Sequence, residues 1–390
     1  MNRIYLDYAA STPLDKKVKE VMNVAEKFFG NPSSIHTEGE NAKKIVEQSR
    51  QKIANVLGAR SNEIIFTSGG TESNNLAILG IAKSFLESSK TSNTLPRGHI
   101  IVSKIEHSST LEPCKQLEKW GFEITYLNVN ENGLINLEEF KKSLRNNTIL
   151  VSIIYANNEI GTIQPIREIG KIIKSHKPYV TSRLPYFHTD ACQASNYLNI
   201  KVETLGVDSM TINASKIYGP KGIGILYKKS DVKIAPLIYG GGQENGIRSG
   251  TESPALCAGM AEALEMAQKN KNSESKRIID LRDYFIENIL SKISSAKLNG
   301  SAKNRLPNNA NFSFRGCEAE SLLIKLDLKS IACSSGSACA SQSNEPSHVI
   351  LALNNKVGEA KSSIRFSMGR QTNKKELNYV IKILCEILKN

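Results

Sequence analysis

The chain has 390 residues, 40% of them hydrophobic, and a formal net charge of +13, so it has ample material for a core and fits two domains or one large α/β unit. No stretch of ~20 apolar residues occurs, which excludes a spanning helix, and the start, Met1 to Asp7, reads as structure rather than as a signal peptide. The basic residues are dispersed without a run of five, and aromatics at 6% do not interleave with them, so direct nucleic-acid binding is not expected, whereas an acidic protein partner fits the charge.

Seven cysteines are scattered without metal-ligand spacing. Free thiols in a reducing cytoplasm, and no metal site, are the expectation.

In chain order, Lys16 to Phe29 and Glu38 to Leu57 have helical spacing and are separated by Gly30-Asn31-Pro32. Glu63 to Thr67 reads as a strand. It runs into Ser68-Gly69-Gly70-Thr71-Glu72-Ser73, with a helix from Asn74 to Phe85. Strand, glycine turn, helix presents backbone N–H groups and a positive dipole end to an anion such as phosphate. Most such turns merely start a helix. His99 to Ser103 is a strand leading to Glu106-His107-Ser108-Ser109. A histidine there suits a helix cap or core as well as proton transfer. Thr148 to Tyr155 is an apolar strand ending in Asn157-Asn158-Glu159, where an asparagine pair can simply make the turn.

Ile166 to Ser175 reads as a helix, and Lys177 to Phe187, with Pro178 and Pro185, as a surface loop. His188-Thr189-Asp190-Ala191-Cys192-Gln193 follows. Asp190 at a strand end can aim its carboxylate into a site or cap a helix. Val207 to Ile212 reads as a buried strand, and Asn213-Ala214-Ser215-Lys216 continues into the Tyr218-Gly219-Pro220 turn. A desolvated lysine there is placed to form a Schiff base, although a surface lysine in a hairpin has the same local pattern. Gly240 to Thr251 is a glycine-rich loop. Pro254 to Ala267 and about Glu274 to Ile293 read as two helices. Ser334 to Ser341 is small and polar and holds Cys339, which its neighbours cannot bury, so an exposed, reactive thiolate is expected. Cys257, Cys333 and Cys385 read as small buried hydrophobes. Arg365 lies on a strand from Ser362 to Met368, where its planar fork suits a carboxylate or an interdomain ion pair.

From Tyr5-Leu6-Asp7-Tyr8-Ala9-Ala10 to Ser363-Ile364-Arg365-Phe366-Ser367, these ordered motifs resemble the cysteine desulfurases of the NifS/IscS kind, pyridoxal-phosphate (PLP) enzymes of the class V aminotransferase family. The resemblance implies an α/β protein of PLP fold type I. Residues 13–257 would form a large domain with a mixed, mostly parallel sheet flanked by helices. Residues 1–12 and 258–390 would form a smaller α+β domain carrying the cysteine loop.

It implies that Gly70 and Thr71 bind the cofactor phosphate, His107 stacks on the ring and moves protons, and Asp190 pairs with the pyridine. Gln193 would contact the ring oxygen, Asn158 cofactor and substrate, and Arg365 the substrate carboxylate. Lys216 would carry the cofactor, Cys339 would accept sulfur, and Thr251 would reach the phosphate in a neighbouring subunit of a homodimer. Asn213 and Ser215 stand where the family commonly has Ser and His; both can still hydrogen-bond a phosphate. Asn245 replaces a common arginine.

The implied reaction converts L-cysteine to L-alanine and leaves a persulfide on Cys339. That sulfur would pass to a small protein acceptor or iron–sulfur scaffold, or serve tRNA thiolation. A selenocysteine lyase or another class V aminotransferase would share everything but the thiol, and a non-catalytic scaffold would share only the fold.

Overall fold

The computed structural model describes residues 3–88, 98–176, 184–336, 346–354 and 356–388. Its centre is a seven-stranded sheet in the order Ile64–Thr67, Gly224–Lys228, Ser209–Asn213, Tyr186–Asp190, Thr148–Ser152, His99–Ser103, Glu123–Leu127. Only Gly224–Lys228 runs against the others. The strands are short and almost wholly buried, as expected where helices cover both faces of a parallel sheet. Because six strands point one way, the turns after Thr67, Ser103, Ser152, Asp190 and Asn213 open on one edge, where α/β sheets bind ligands.

A second core is built on an antiparallel sheet of Ser363–Ser367, Asn309–Phe314 and Ala296–Leu298. Phe285, Phe312 and Phe366 pack edge-to-face within it, the first and last rings 5.3 Å apart. The N-terminal strand Ile4–Tyr5 joins this half, pairing in parallel with Ile331–Ala332, and Ile4 and Leu6 are buried there.

The two helices expected across 254–293 are one, Pro254–Lys292, of 39 residues. Its start is capped by Ser253, with Pro254 in the first turn. The polar stretch from Lys269 to Ser275 looks like a break because it has no apolar face. It contains neither proline nor glycine, and it crosses from one core to the other as helix. Cys257, Met260, Leu264 and Ala267 pack in the large core; Ile278, Phe285 and Ile289 pack in the small one. The expected domain boundary near 258 falls in the first turns of this helix.

The helix after the glycine turn also begins earlier than expected, at Gly70 rather than Asn74. Among the described residues, no helix is long and apolar enough to cross a membrane.

Candidate active site

The turns at that sheet edge enclose a cavity of about 210 Å³. Its wall includes Gly70, Thr71, His107, Asn158, Asp190, Gln193, Asn213, Lys216 and Arg365. These residues come from the ends of different strands, and the fold alone brings them together.

Gly70 and Thr71 form the first turn of the helix Gly70–Ser88, so their N–H groups and the dipole face the cavity. Gly69 holds φ +150°, reached readily only by glycine. A Cβ on Gly70 would lie 2.9 Å from Cys192 Sγ and 3.5 Å from Asn213 Nδ2, so this cradle needs glycine. Ser215 does not line the cavity. Its hydroxyl and N–H both donate to Asn213 Oδ1, at 3.1 and 3.2 Å. Those two bonds turn the Asn213 amide nitrogen toward the glycine cradle.

Asp190 Oδ1 accepts from Cys192 N at 2.9 Å, and Oδ2 accepts from Asn74 Nδ2 at 2.7 Å. His107 is both a helix cap and a cavity wall: Nδ1 accepts from Ser109 N at 3.1 Å and lies 2.8 Å from Ser109 Oγ. Burial lowers its pKa, assisted by the Lys216 charge and opposed by Asp190. Gln193 Nε2 donates to the Ala9 carbonyl at 2.9 Å, and Lys216 Nζ donates to the Ala10 carbonyl. The Asp-Tyr-Ala-Ala segment therefore closes one wall with its backbone.

Arg365 enters from the small sheet. Nη1 donates to the Asn158 carbonyl at 2.9 Å, and Nη2 pairs with Asp7 at 2.7 Å. Its Nε is buried without a partner among the described residues. Asn309 and Asn311 Nδ2 donate to the Glu159 carbonyl at 3.0 and 3.1 Å, holding the small sheet against the Asn157–Gly161 turn. Glu159 Oε2 accepts from Ser347 Oγ at 2.5 Å, and Ser334 exchanges both backbone bonds with Arg365.

Cys339 and residues 337–345 lie outside the described residues. Thr251 is exposed and does not line this cavity. The sequence alone marks no role for Cys192, which lies inside the motif from His188 to Gln193. Its thiol lines the cavity, and burial, then Asp190, pushes its pKa well up. Nor does it mark Asn74 and Ser109, because no local pattern identifies a residue whose partner is 116 positions away.

A class-V aminotransferase family model matches residues 4–380. The chain is 50% identical over 386 residues to a cysteine desulfurase IscS of Dictyoglomus turgidum, covering 99% of this chain and 94% of that one. A cysteine desulfurase IscS of Clostridium botulinum is 43% identical over 393 residues, covering 100% and 95%. Among solved structures, a NifS-like protein superposes with a TM-score of 0.90 at 34% identity, covering 99% of each chain. SspA in complex with cysteine superposes at 0.79 and 38% identity, covering 94% and 98%. The chain belongs to the class-V aminotransferase family and, within it, to the cysteine desulfurases of the NifS/IscS kind.

Proposed function

We propose that this protein converts L-cysteine to L-alanine with pyridoxal phosphate as cofactor and leaves the sulfur as a persulfide on Cys339. The observation that carries the reading is the company Arg365 keeps. Arg365, whose buried Nε has no partner among the described residues, lines one cavity with Lys216 and Asp190. An orphaned guanidinium N–H beside an amine and a carboxylate fits an amino-acid substrate with its own carboxylate.

The residues fit the cofactor. The helix N-terminus and the Gly70 cradle suit a phosphate dianion, Asn213 Nδ2 adds a donor, and Asp190 suits a protonated ring nitrogen. When bound, pyridoxal phosphate supplies an electron sink for chemistry at the substrate α-carbon. Arg365 holds the substrate carboxylate, and the Asn158 carbonyl orients that guanidinium. Lys216 Nζ takes the α-proton and returns it. His107, kept neutral by burial, holds a proton at the imidazole on the same cavity. The Cys339 thiolate takes the substrate sulfur: an S–S bond forms as the substrate C–S bond breaks, and a proton on carbon completes alanine.

The same reading includes a homodimer in which Thr251 of each subunit serves the other's site. It also includes direct transfer of the persulfide to a small, acidic protein acceptor or iron–sulfur scaffold. The +13 charge favours such a partner through steering, so transfer should slow as salt rises.

Purified protein given L-cysteine should form alanine with a stoichiometric persulfide on Cys339. Cys339→Ser should keep the visible absorption of the bound cofactor and lose the persulfide. Lys216→Ala should lose both turnover and that absorption. A Cys339→Ser protein that still passes sulfur to an acceptor would defeat the assignment.

A further inference from the structure

Asn74 sits on the helix Gly70–Ser88, one turn in from the phosphate cradle, and is fully buried. Its amide has two N–H donors, and both are committed. One goes to Asp190 Oδ2 at 2.7 Å, the other to Ser109 Oγ at 2.8 Å. An ionised carboxylate only accepts hydrogen bonds, so the nitrogen, not the oxygen, of the amide must face Asp190.

The second bond has a consequence one residue further on. Ser109 Oγ accepts from Asn74, which leaves its own hydrogen for His107 Nδ1, 2.8 Å away. That ring nitrogen also accepts from the Ser109 backbone N–H. Accepting twice, Nδ1 carries no proton, so the neutral imidazole holds its proton on Nε2. Asn74 Oδ1, by contrast, is buried and has no partner among the described residues. If the side chain served only to fill space, an apolar residue of the same size would do so without an unpaired carbonyl. The amide is placed here for its donors.

We infer that Asn74 is a positioning residue, whose two donors orient the Asp190 carboxylate for the cofactor ring and direct the Ser109 hydroxyl onto His107. The inference rests on the cofactor reading above. The titratable groups around Asp190 are Glu106, His107, His188 and Cys192, with Lys216 on the same cavity.

The test measures the dissociation constant of pyridoxal phosphate and the visible absorption of the loaded protein, from pH 5.5 to 9, for wild type and variants. Asn74→Leu removes both donors and should weaken binding on the order of tenfold, with Asn74→Ser, which keeps one donor, in between. Asn74→Asp sets a second carboxylate against Asp190. Its dissociation constant relative to wild type should fall as pH falls, because a protonated Asp at 74 regains a donor. Thermal melting of each apo-protein reports folding. If Asn74→Leu does not fold, the aspartate variant decides alone. Variants that bind as tightly as wild type, or an aspartate ratio that does not move with pH, overturn the inference. A wild type that binds no pyridoxal phosphate overturns instead the cofactor reading beneath it.

Discussion

Arg50 and Glu244 form a buried, two-pronged ion pair, Nη1 to Oε2 at 2.7 Å and Nη2 to Oε1 at 2.8 Å. It ties the helix Thr37–Leu57 to the Gly240–Thr251 loop, and Phe66 N adds a third bond to Glu244 at 3.0 Å. Glu244 holds a positive φ of 49°, a conformation that needs support from its surroundings. Glu244→Ala would leave the buried guanidinium with Glu47, paired to its Nε at 3.1 Å, as its remaining carboxylate partner. It should lower stability by about 3–5 kcal/mol in urea unfolding, and replacing both partners with apolar residues should cost less. A loss below about 1 kcal/mol for the single variant would show that the pair is not what anchors the loop.

Three buried groups set opposing trends in stability on the two sides of pH 6.5. His99 and His188 are held at about 4 by burial. Between pH 6.5 and 4 the unfolded chain binds protons that these neutral rings refuse, so stability falls as pH falls. Glu106, pushed up to about 8 by burial, acts oppositely. Between its ordinary 4.5 and 8 the unfolded chain has lost a proton that the folded protein keeps, so stability falls as pH rises. Below 6.5 the two histidines outweigh the one carboxyl; above it Glu106 acts alone among the three, at about 2 kcal/mol by pH 8. Glu106→Gln should flatten urea-unfolding stability between pH 6.5 and 8. An unchanged slope in that variant would refute the assignment.

Arg365→Lys keeps the charge and loses the fork. Lysine cannot hold Asp7, the Asn158 carbonyl and a substrate carboxylate in one plane. The expected result is a KM for L-cysteine raised on the order of tenfold or more, with the visible absorption of the bound cofactor unchanged. Equal KM values would remove Arg365 from substrate binding.

The proposed homodimer can be tested on the surface. Phe29 is 84% and Ile35 95% exposed, with Val24 at 58%, all on the same stretch of chain. Large side chains so exposed and so near one another in the sequence make this stretch the place to test for a covered surface. Under the proposed homodimer, replacing Phe29 and Ile35 with serine should yield a monomer in sedimentation, with cofactor binding weakened if Thr251 serves the neighbouring site. A wild type that sediments as an active monomer at micromolar concentration would rule the dimer out.

Much of this molecule can be read in the chain, and the reasons are local. His99–Ser103 and Ile166–Ser175 have the bounds their apolar spacing predicts. The glycine turn at Gly69-Gly70 and the lysine after Asn213 are local signals, and both open on the cavity. What escaped depends on direction or distance. Asn213 and Ser215 are two positions apart on a tight turn, and nothing in their spacing says that one faces the cavity while the other braces it. Asn74 looks like any polar residue on a helix until Asp190 arrives from 116 residues away. The long helix looks like two in the sequence because its polar middle has no apolar face, although that middle lacks the proline or glycine that would end a helix.

That helix has a thermodynamic consequence. Thirty-nine residues at about 1.5 Å each span close to 60 Å, and its two ends are indispensable walls of two different cores. Melting either core strips one end of the helix of the packing that keeps it folded, and the loosened helix then exposes the other core. Two cores joined by a flexible linker would lose their order separately. Joined by a shared wall, they are expected to unfold together, and a cavity cut around Phe285 should also loosen the sheet edge that carries Lys216, Asp190 and Gly70.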